Sequence, residues 1–322
     1  MIHDNLLSLI GNTPIVRLTQ FDTGPCELFI KLECQNPGGS VKDRIALSMI
    51  EQAERDGHLT HGGCIVEATA GNTGIALAMI AALKHYRMIV VMPDKMSREK
   101  AEHLSAMGAE VVWTRSDVNK GHPEYYQDVA ERIAHERGAF YVNQFANPHN
   151  PEAHYRTTGP EIWSQMDNNL DAFVCGAGTS GTVTGVGRYL KEQNPAIDIV
   201  LADPVGSILK HYIDTGELLT KSGSWLVEGI GEDYLPVISD FSVVNKAYTI
   251  TDHEAMHLGR ELLKKTGIFA GSSSGILLGA ALQYCREQTS PKRVLTLACD
   301  GGAKYASKMY NDAWMREKGL LD

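Results

Sequence analysis

The sequence has no surplus of basic residues: 30 Lys and Arg stand against 39 Asp and Glu, a formal net charge of −9. A chain that grips a polyphosphate backbone or an anionic membrane surface carries the opposite balance, so neither nucleic acid nor membrane is an expected partner. Cysteine is sparse, at 26, 34, 64, 175, 285 and 299 with no CxxC pair. Such scatter suits buried free thiols in a reducing compartment rather than a disulfide framework, and the expected location is cytoplasmic. Long apolar runs are missing too: the longest, Gly74 to Leu83, is about half a membrane span. The first residues, MIHDNLLSLIGNTPIVRL, lack the basic start of an export signal, so neither export nor membrane insertion is expected. Repeats, low-complexity tracts and disordered linkers are absent as well. What is there is ordinary globular composition, 43% hydrophobic and 21% charged over 322 residues, enough for about two domains with sizeable cores.

Short apolar runs alternate with helical patterns. Glu27–Glu33, Cys64–Ala68, Met88–Met92 and Glu110–Trp113 read as strands. Val41–Gly57 reads as a helix with Ser40 at its N-cap, and further helical stretches fall at 73–84, 97–107 and 123–137. After Asn150 the pattern restarts: a helix near 151–166, a strand at Ala172–Cys175, a helix from Gly181 and a strand at Ile197–Asp203. The segment 206–246 is glycine-rich and reads as irregular. Helices near 252–266 and 274–288 precede a strand at Val294–Ala298. This alternation predicts an α/β fold of two parallel-sheet domains covered by helices on both faces, with ligands at the carboxyl ends of strands in a cleft between them.

Three glycine and hydroxyl turns stand out. In Ala172-Phe-Val-Cys-Gly-Ala-Gly-Thr-Ser-Gly-Thr an apolar strand runs into a glycine turn and then a helix, which exposes backbone N–H groups where the helix dipole favours an anion. Gly176, Gly178 and Gly181 spell GxGxxG, and Asp203 closes the next strand, so an NAD(P)-binding oxidoreductase is one reading. The hydroxyls of Thr179, Ser180 and Thr182 suit a terminal phosphate better than a pyrophosphate crossing bare glycine, and a plain strand–helix turn remains the bland alternative. Glu67-Ala-Thr-Ala-Gly-Asn-Thr-Gly again follows a strand and opens a helix, with Asn72 and Thr73 readable as caps. Ala270-Gly-Ser-Ser-Ser-Gly is the third.

Lys42, in Asn36-Pro-Gly-Gly-Ser-Val-Lys-Asp-Arg, falls at the start of a helix, where the positive end of the dipole favours a neutral amine able to form a Schiff base. A solvated surface lysine is the competing reading. His253-Glu-Ala-Met-His is a literal HExxH zinc pattern, but it follows the helix start Thr251-Asp252, and Arg260 stands where the extended form requires Gly. Glu254 is explained by N-terminal charge, and no metal site is expected.

Asn36-Pro-Gly-Gly-Ser-Val-Lys-Asp-Arg, Thr69-Ala-Gly-Asn-Thr-Gly, Gly176-Ala-Gly-Thr-Ser-Gly-Thr, Gly229-Ile-Gly and Gly271-Ser-Ser-Ser-Gly occur in an order that resembles the cysteine synthase and cystathionine β-synthase family. The resemblance runs from Ile10-Gly-Asn-Thr-Pro to about Met315. It implies a fold type II pyridoxal 5'-phosphate (PLP) enzyme, similar to the tryptophan synthase β subunit, with two open, twisted, mainly parallel sheets. It further implies a larger cofactor-binding domain from 1–44 and 147–322 and a smaller mobile one from 45–146.

By that resemblance Lys42 is the Schiff-base lysine that also moves the Cα proton, and Asn72 bonds the cofactor's ring hydroxyl. Gly176, Gly178, Thr179, Ser180, Gly181 and Thr182 form the phosphate cradle, and Ser273 faces the pyridine nitrogen. Thr69, Ala70, Gly71, Asn72, Thr73 and Gln144 match the positions around the amino acid carboxylate. A serine partner does not hold the ring nitrogen protonated, which favours loss of the β-substituent over transamination, so β-replacement is the implied chemistry.

Trp225-Leu-Val-Glu-Gly-Ile-Gly-Glu-Asp-Tyr-Leu-Pro and the tail from Tyr305 resemble the cystathionine β-synthase branch. Glu228, beside Gly229, is expected to pair with the ammonium of an amino acid acceptor, which points to homocysteine, although loop surface is the bland reading of both Glu228 and Asp233. Sulfide as acceptor, as in cysteine synthase, is the alternative. Water as acceptor, or lyase action on cysteine releasing hydrogen sulfide, fits Asp233 as a base. Ala70 replaces the serine usual in its loop and leaves serine and O-acetylserine both open as donors. No counterpart of the family's haem-binding extension or regulatory module is seen, so regulation by those routes is not expected. Family analogy suggests a homodimer acting on small amino acid substrates.

Overall fold

The computed structural model describes the chain apart from Met1, Ala70, Lys95, Ser97, Asn119 and Lys120, and the side chain of Glu99. In chain order its elements are β1 (Ile15–Arg17), β2 (Glu27–Lys31), α1 (Lys42–Arg55), β3 (Cys64–Ala68), α2 (Asn72–Leu83), β4 (Arg87–Pro93), α3 (Arg98–Ala106), β5 (Glu110–Thr114), α4 (Tyr126–Arg137), β6 (Phe140–Tyr141), α5 (His149–Ala153) and α6 (Gly159–Gln165). There follow β7 (Ala172–Gly176), α7 (Gly181–Gln193), β8 (Asp198–Pro204), α8 (Leu209–Thr215), β9 (Lys246–Ile250), α9 (Asp252–Thr266), α10 (Ser272–Arg286), β10 (Arg293–Leu297) and α11 (Asp312–Glu317).

The chain divides into a smaller unit, residues up to Ile10 with Lys42–Asn150, and a larger one, Gly11–Val41 with Pro151–Asp322. The boundaries fall at Lys42 and Asn150 instead of 44 and 147, and the first residues go with the smaller unit. The segment before Lys42 stays with the larger unit because it is tied to the end of β10: the Val41 amide donates to the Cys299 carbonyl (2.9 Å) and the Gly301 amide to Gly39 (3.1 Å).

The smaller unit is a four-stranded sheet, β5-β4-β3-β6, parallel throughout. Its inner strands read as continuous apolar runs because both faces are covered; every residue of β3 is buried, and all of β4 but Arg87. α2 is apolar on every side and is buried from Thr73 to Ala81, as an interior helix must be. The larger unit is a six-stranded sheet, β1-β2-β10-β7-β8-β9, parallel except for the β1–β2 pair. α10 packs on β7, β8, β9 and β10 and is buried along nearly its whole length. The fold is thus α/β with two mainly parallel sheets flanked by helices.

Some local expectations are corrected. Ser40 does not open α1; it is held extended in an isolated bridge with Asp300, and the helix begins at Lys42. The helix near 151–166 is broken by a π turn at His154–Thr158, beside which α7 comes so close that a Cβ on Gly185 would lie 2.1 Å from the Pro151 carbonyl oxygen. Within the irregular segment a short helix, α8, ends at left-handed Gly216. β1, β6 and β9 were not anticipated; all three are sheet edges, where burial imposes only a faint pattern. Among the described residues no helix is long and apolar enough to cross a membrane.

Candidate active-site elements

In the larger unit Gly176, Gly178, Thr179, Ser180, Gly181 and Thr182 form one turn from the end of β7 into α7. The glycines are required by close approach: a Cβ on Gly176 would lie 2.8 Å from Ile230 Cγ2, and one on Gly178 2.7 Å from the Gly229 carbonyl oxygen. Ser180, at the N-cap of α7, holds a left-handed backbone with φ of 68°. That conformation costs a non-glycine residue about 1 kcal/mol or more and collects at ligand sites. Its hydroxyl is buried with no hydrogen-bond partner, whereas Thr179 Oγ1 accepts from the Gly181 amide. A helix N-terminus beside a buried, unsatisfied hydroxyl suits a phosphate.

Bonded to this turn is His154, which no motif or spacing singled out. Its ring is fully buried in the π turn, with Nε2 3.2 Å from Thr182 Oγ1 and Nδ1 2.9 Å from Thr158 Oγ1. Asp203 is also fully buried. Its Oδ2 accepts from the Lys210 amide (2.9 Å) in the first turn of α8, and burial pushes the carboxyl up to about 6. The acid that a dinucleotide fingerprint offers to a ribose is here turned into its own helix start.

Beside the turn runs the segment 225–234. The Leu226 and Val227 amides donate to Asp252, the Glu228 amide donates to Ser272 Oγ (3.2 Å), and the Gly231 amide donates to Ala177 (2.8 Å). Gly229 and Gly231 have φ of 84° and 85°, so the segment needs glycine at both. Glu228 Oε1 pairs with Lys308 Nζ at 2.5 Å, while Asp233 is exposed. Ser273 is buried as the second residue of α10. Tyr305 bonds both Ser272 and Asp300, and burial, with the Asp300 and Glu228 carboxylates nearby, pushes its phenol far above the ordinary value.

Lys42 is the first residue of α1 and half-buried, where the chain passes from the larger unit into the smaller. The loop before it is stiffened at Asn36, whose side chain accepts from the Gly11 amide (2.8 Å) and donates to buried Glu33 (2.9 Å).

In the smaller unit the loop after β3 brings Thr69, Gly71, Asn72 and Thr73 to the start of α2. Thr69 Oγ1 accepts from the Gly71 amide (3.2 Å), and Thr73 Oγ1 donates to Gln144 Oε1 (2.6 Å). Ala70 lies outside the described residues. Glu67, which the sequence reading did not single out, joins these pieces: its carboxyl accepts from the Ala68 amide (3.0 Å) and the Gln144 amide (3.3 Å). Burial pushes it up to about 8. A lone acid inside the apolar run Cys64–Ala68 was the signal available for it.

The HExxH residues have other duties. Thr251 caps α9 by accepting from the Glu254 amide, and His257 Nε2 donates to the Leu320 carbonyl at 2.7 Å, which commits that nitrogen.

Each α/β unit has a glycine turn between a strand end and a helix N-terminus, an arrangement that suits enzymes holding a phosphorylated ligand. The family described as pyridoxal-phosphate dependent enzyme matches residues 6–300, and the chain belongs to it. It is 41% identical to a cystathionine beta-synthase of Apis mellifera over 99% of its own length and 64% of that protein's. The chain therefore spans less than two thirds of that relative. It is 41% identical to a cysteine synthase of Staphylococcus aureus, over 94% of this chain and 96% of the other. Among solved structures, an O-ureido-L-serine synthase is similar with a TM-score of 0.90 and 34% identity, covering 98% of this chain and all of its own.

Proposed function

We propose that the chain catalyses β-replacement on L-serine or O-acetyl-L-serine, with homocysteine as the thiol acceptor and cystathionine as the product. The observation that carries the reading is in the larger unit: the β7–α7 turn, with its unpartnered Ser180 hydroxyl, accompanies a neutral serine, Ser273, at the positive end of α10. Pyridoxal phosphate, when bound, supplies an aldehyde for an amine and a sink for the electrons of the Cα–H bond. Gly176, Gly178 and the amides and hydroxyls of Thr179–Thr182 hold its phosphate, Asn72 its ring hydroxyl and Ser273 its ring nitrogen. A neutral hydroxyl at a helix N-terminus leaves that nitrogen unprotonated, which limits delocalisation and favours loss of the β-substituent.

Lys42 would be the covalent anchor of the cofactor, and its free amine would be the base that takes the Cα proton. Thr69, Gly71, Thr73 and Gln144 hold the donor carboxylate at the start of α2. Glu228 receives the ammonium of the acceptor, and Asp233, being exposed, is a base available to water. A second reading, cysteine synthesis from O-acetylserine and sulfide, is supported by the 41% identity to the Staphylococcus aureus cysteine synthase over 94% of this chain. A homodimer in a reducing cytoplasm completes the proposal, supported on redox grounds by six free cysteines.

The test is a steady-state comparison of serine and O-acetylserine, each against homocysteine and sulfide, on protein whose yellow colour and borohydride-fixed Lys42 peptide establish cofactor loading. Turnover with sulfide alone overturns the acceptor assignment; a colourless, unlabelled protein overturns the whole reading.

A further inference from the structure

Glu228 is not a solitary acid. Its Oε1 lies 2.5 Å from Lys308 Nζ, with the Glu228 side chain 29% and the Lys308 side chain 38% exposed. Both ends of this pair rest on fixed backbone beside α10. The Glu228 amide is bonded to Ser272, next to Ser273, and Gly229 abuts Gly178 of the β7–α7 turn. The Lys308 amide donates to the Tyr305 carbonyl (3.0 Å), and the Tyr305 side chain bonds Ser272. Two opposite charges thus stand side by side at the flank of the glycine turn.

An α-amino acid carries the same two charges on one carbon. Laid head to tail against the pair, its ammonium meets Glu228 and its carboxylate meets Lys308, so one exposed ion pair is exchanged for two charge-assisted contacts. A half-exposed pair is weak and opens at little cost, whereas each contact to the ligand is made as solvent leaves. Sulfide and water have neither charge and gain nothing from it. We infer that Glu228 and Lys308 together form the receptor for the zwitterionic head of an amino acid acceptor, with Lys308 as the carboxylate-binding residue. This rests on the proposed acceptor reading and adds to it a residue for the second charge.

The test uses the cofactor-loaded enzyme at saturating donor with three thiols: homocysteine, 3-aminopropanethiol, which lacks the carboxylate, and 4-mercaptobutanoate, which lacks the ammonium. The wild type is expected to prefer homocysteine over either by about tenfold or more in kcat/KM. Lys308→Ala should collapse the preference over 3-aminopropanethiol, chiefly through the KM for homocysteine, and keep the preference over 4-mercaptobutanoate. Glu228→Gln should do the reverse, and Lys308→Arg should restore the first preference. A uniform loss for all three thiols in Lys308→Ala would mean that Lys308 only braces the loop, and would overturn this inference while leaving homocysteine as acceptor. Wild-type turnover with sulfide but not homocysteine would overturn the acceptor reading itself.

Discussion

Glu67 shows how a single side chain can govern a site it does not enter. Buried near the end of β3, it accepts from the amides of Ala68 and Gln144, so the strand end and Gln144 share one anchor. With its carboxyl raised to about 8 from an ordinary 4.5, the fold favours the protonated form. The stability gained by keeping that proton is full below the unfolded value and is lost as pH climbs through about 8. Glu67→Gln, which can accept only one of the two amides, should cost about 1–3 kcal/mol. The gap in melting temperature from the wild type should be largest near pH 5 and shrink by pH 9; a constant gap would show that the titration belongs elsewhere. Lys42→Ala should lose turnover by about 10²–10⁴-fold or more, as removal of a proton-transfer group does, in single-turnover assays of cofactor-loaded protein. The place of Lys42 at the start of a helix was legible from the glycine loop before it. His154 and Lys308 were not, because each acts on a partner distant in sequence, Thr182 and Glu228, and neither partner leaves a local pattern.

Each unit has a strand–turn–helix step at its own candidate residues. Strands buried on both faces were readable because they leave uninterrupted apolar runs, and α9 was readable from its Thr251 cap. The edge strands β1 and β9 were harder, since each has one open side and mixed burial. The π turn at His154–Thr158 has no sequence signature; it follows from the near contact of α7 with that helix. The β7–α7 turn lends itself to a steric test. Because the nearest atom to a Cβ on Gly178 is the Gly229 backbone oxygen, Gly178→Ala cannot be relieved by a rotamer change. It should destabilise the protein by about 1–3 kcal/mol and weaken cofactor retention, read from visible absorbance after dialysis. Ser180→Ala, which removes only the unpartnered hydroxyl, should weaken retention with little change in the melting temperature of cofactor-free protein.

At the scale of the molecule, two sheets share one chain that leaves the larger unit at Val41 and returns at Pro151. The alternation of strand and helix made both sheets visible in the sequence, but nothing periodic could tell that the residues up to Ile10 belong with the smaller one. A cofactor held only by folded protein adds RT ln(1 + [L]/Kd) to stability, about 2.7 kcal/mol at a hundredfold excess over Kd. Stripping pyridoxal phosphate should therefore lower the melting temperature, and adding it back should restore it; an unchanged midpoint would mean that the folded state is not its binding partner. Hydrogen exchange should show the protection concentrated at the β7–α7 turn.

The place of β10 in the larger sheet bears on how the protein is made. β10, Arg293–Leu297, lies between β2 and β7, and among the described residues it is the strand that joins the β1–β2 pair to the rest of that sheet. The β1–β2 hairpin is therefore synthesised well before the strand that joins it to its sheet, and until that strand emerges the nascent chain carries an open strand edge that invites stray pairing. Assembly of the larger unit thus waits on a closure between segments far apart along the chain, the kind of long-range pairing that sets a slow folding step.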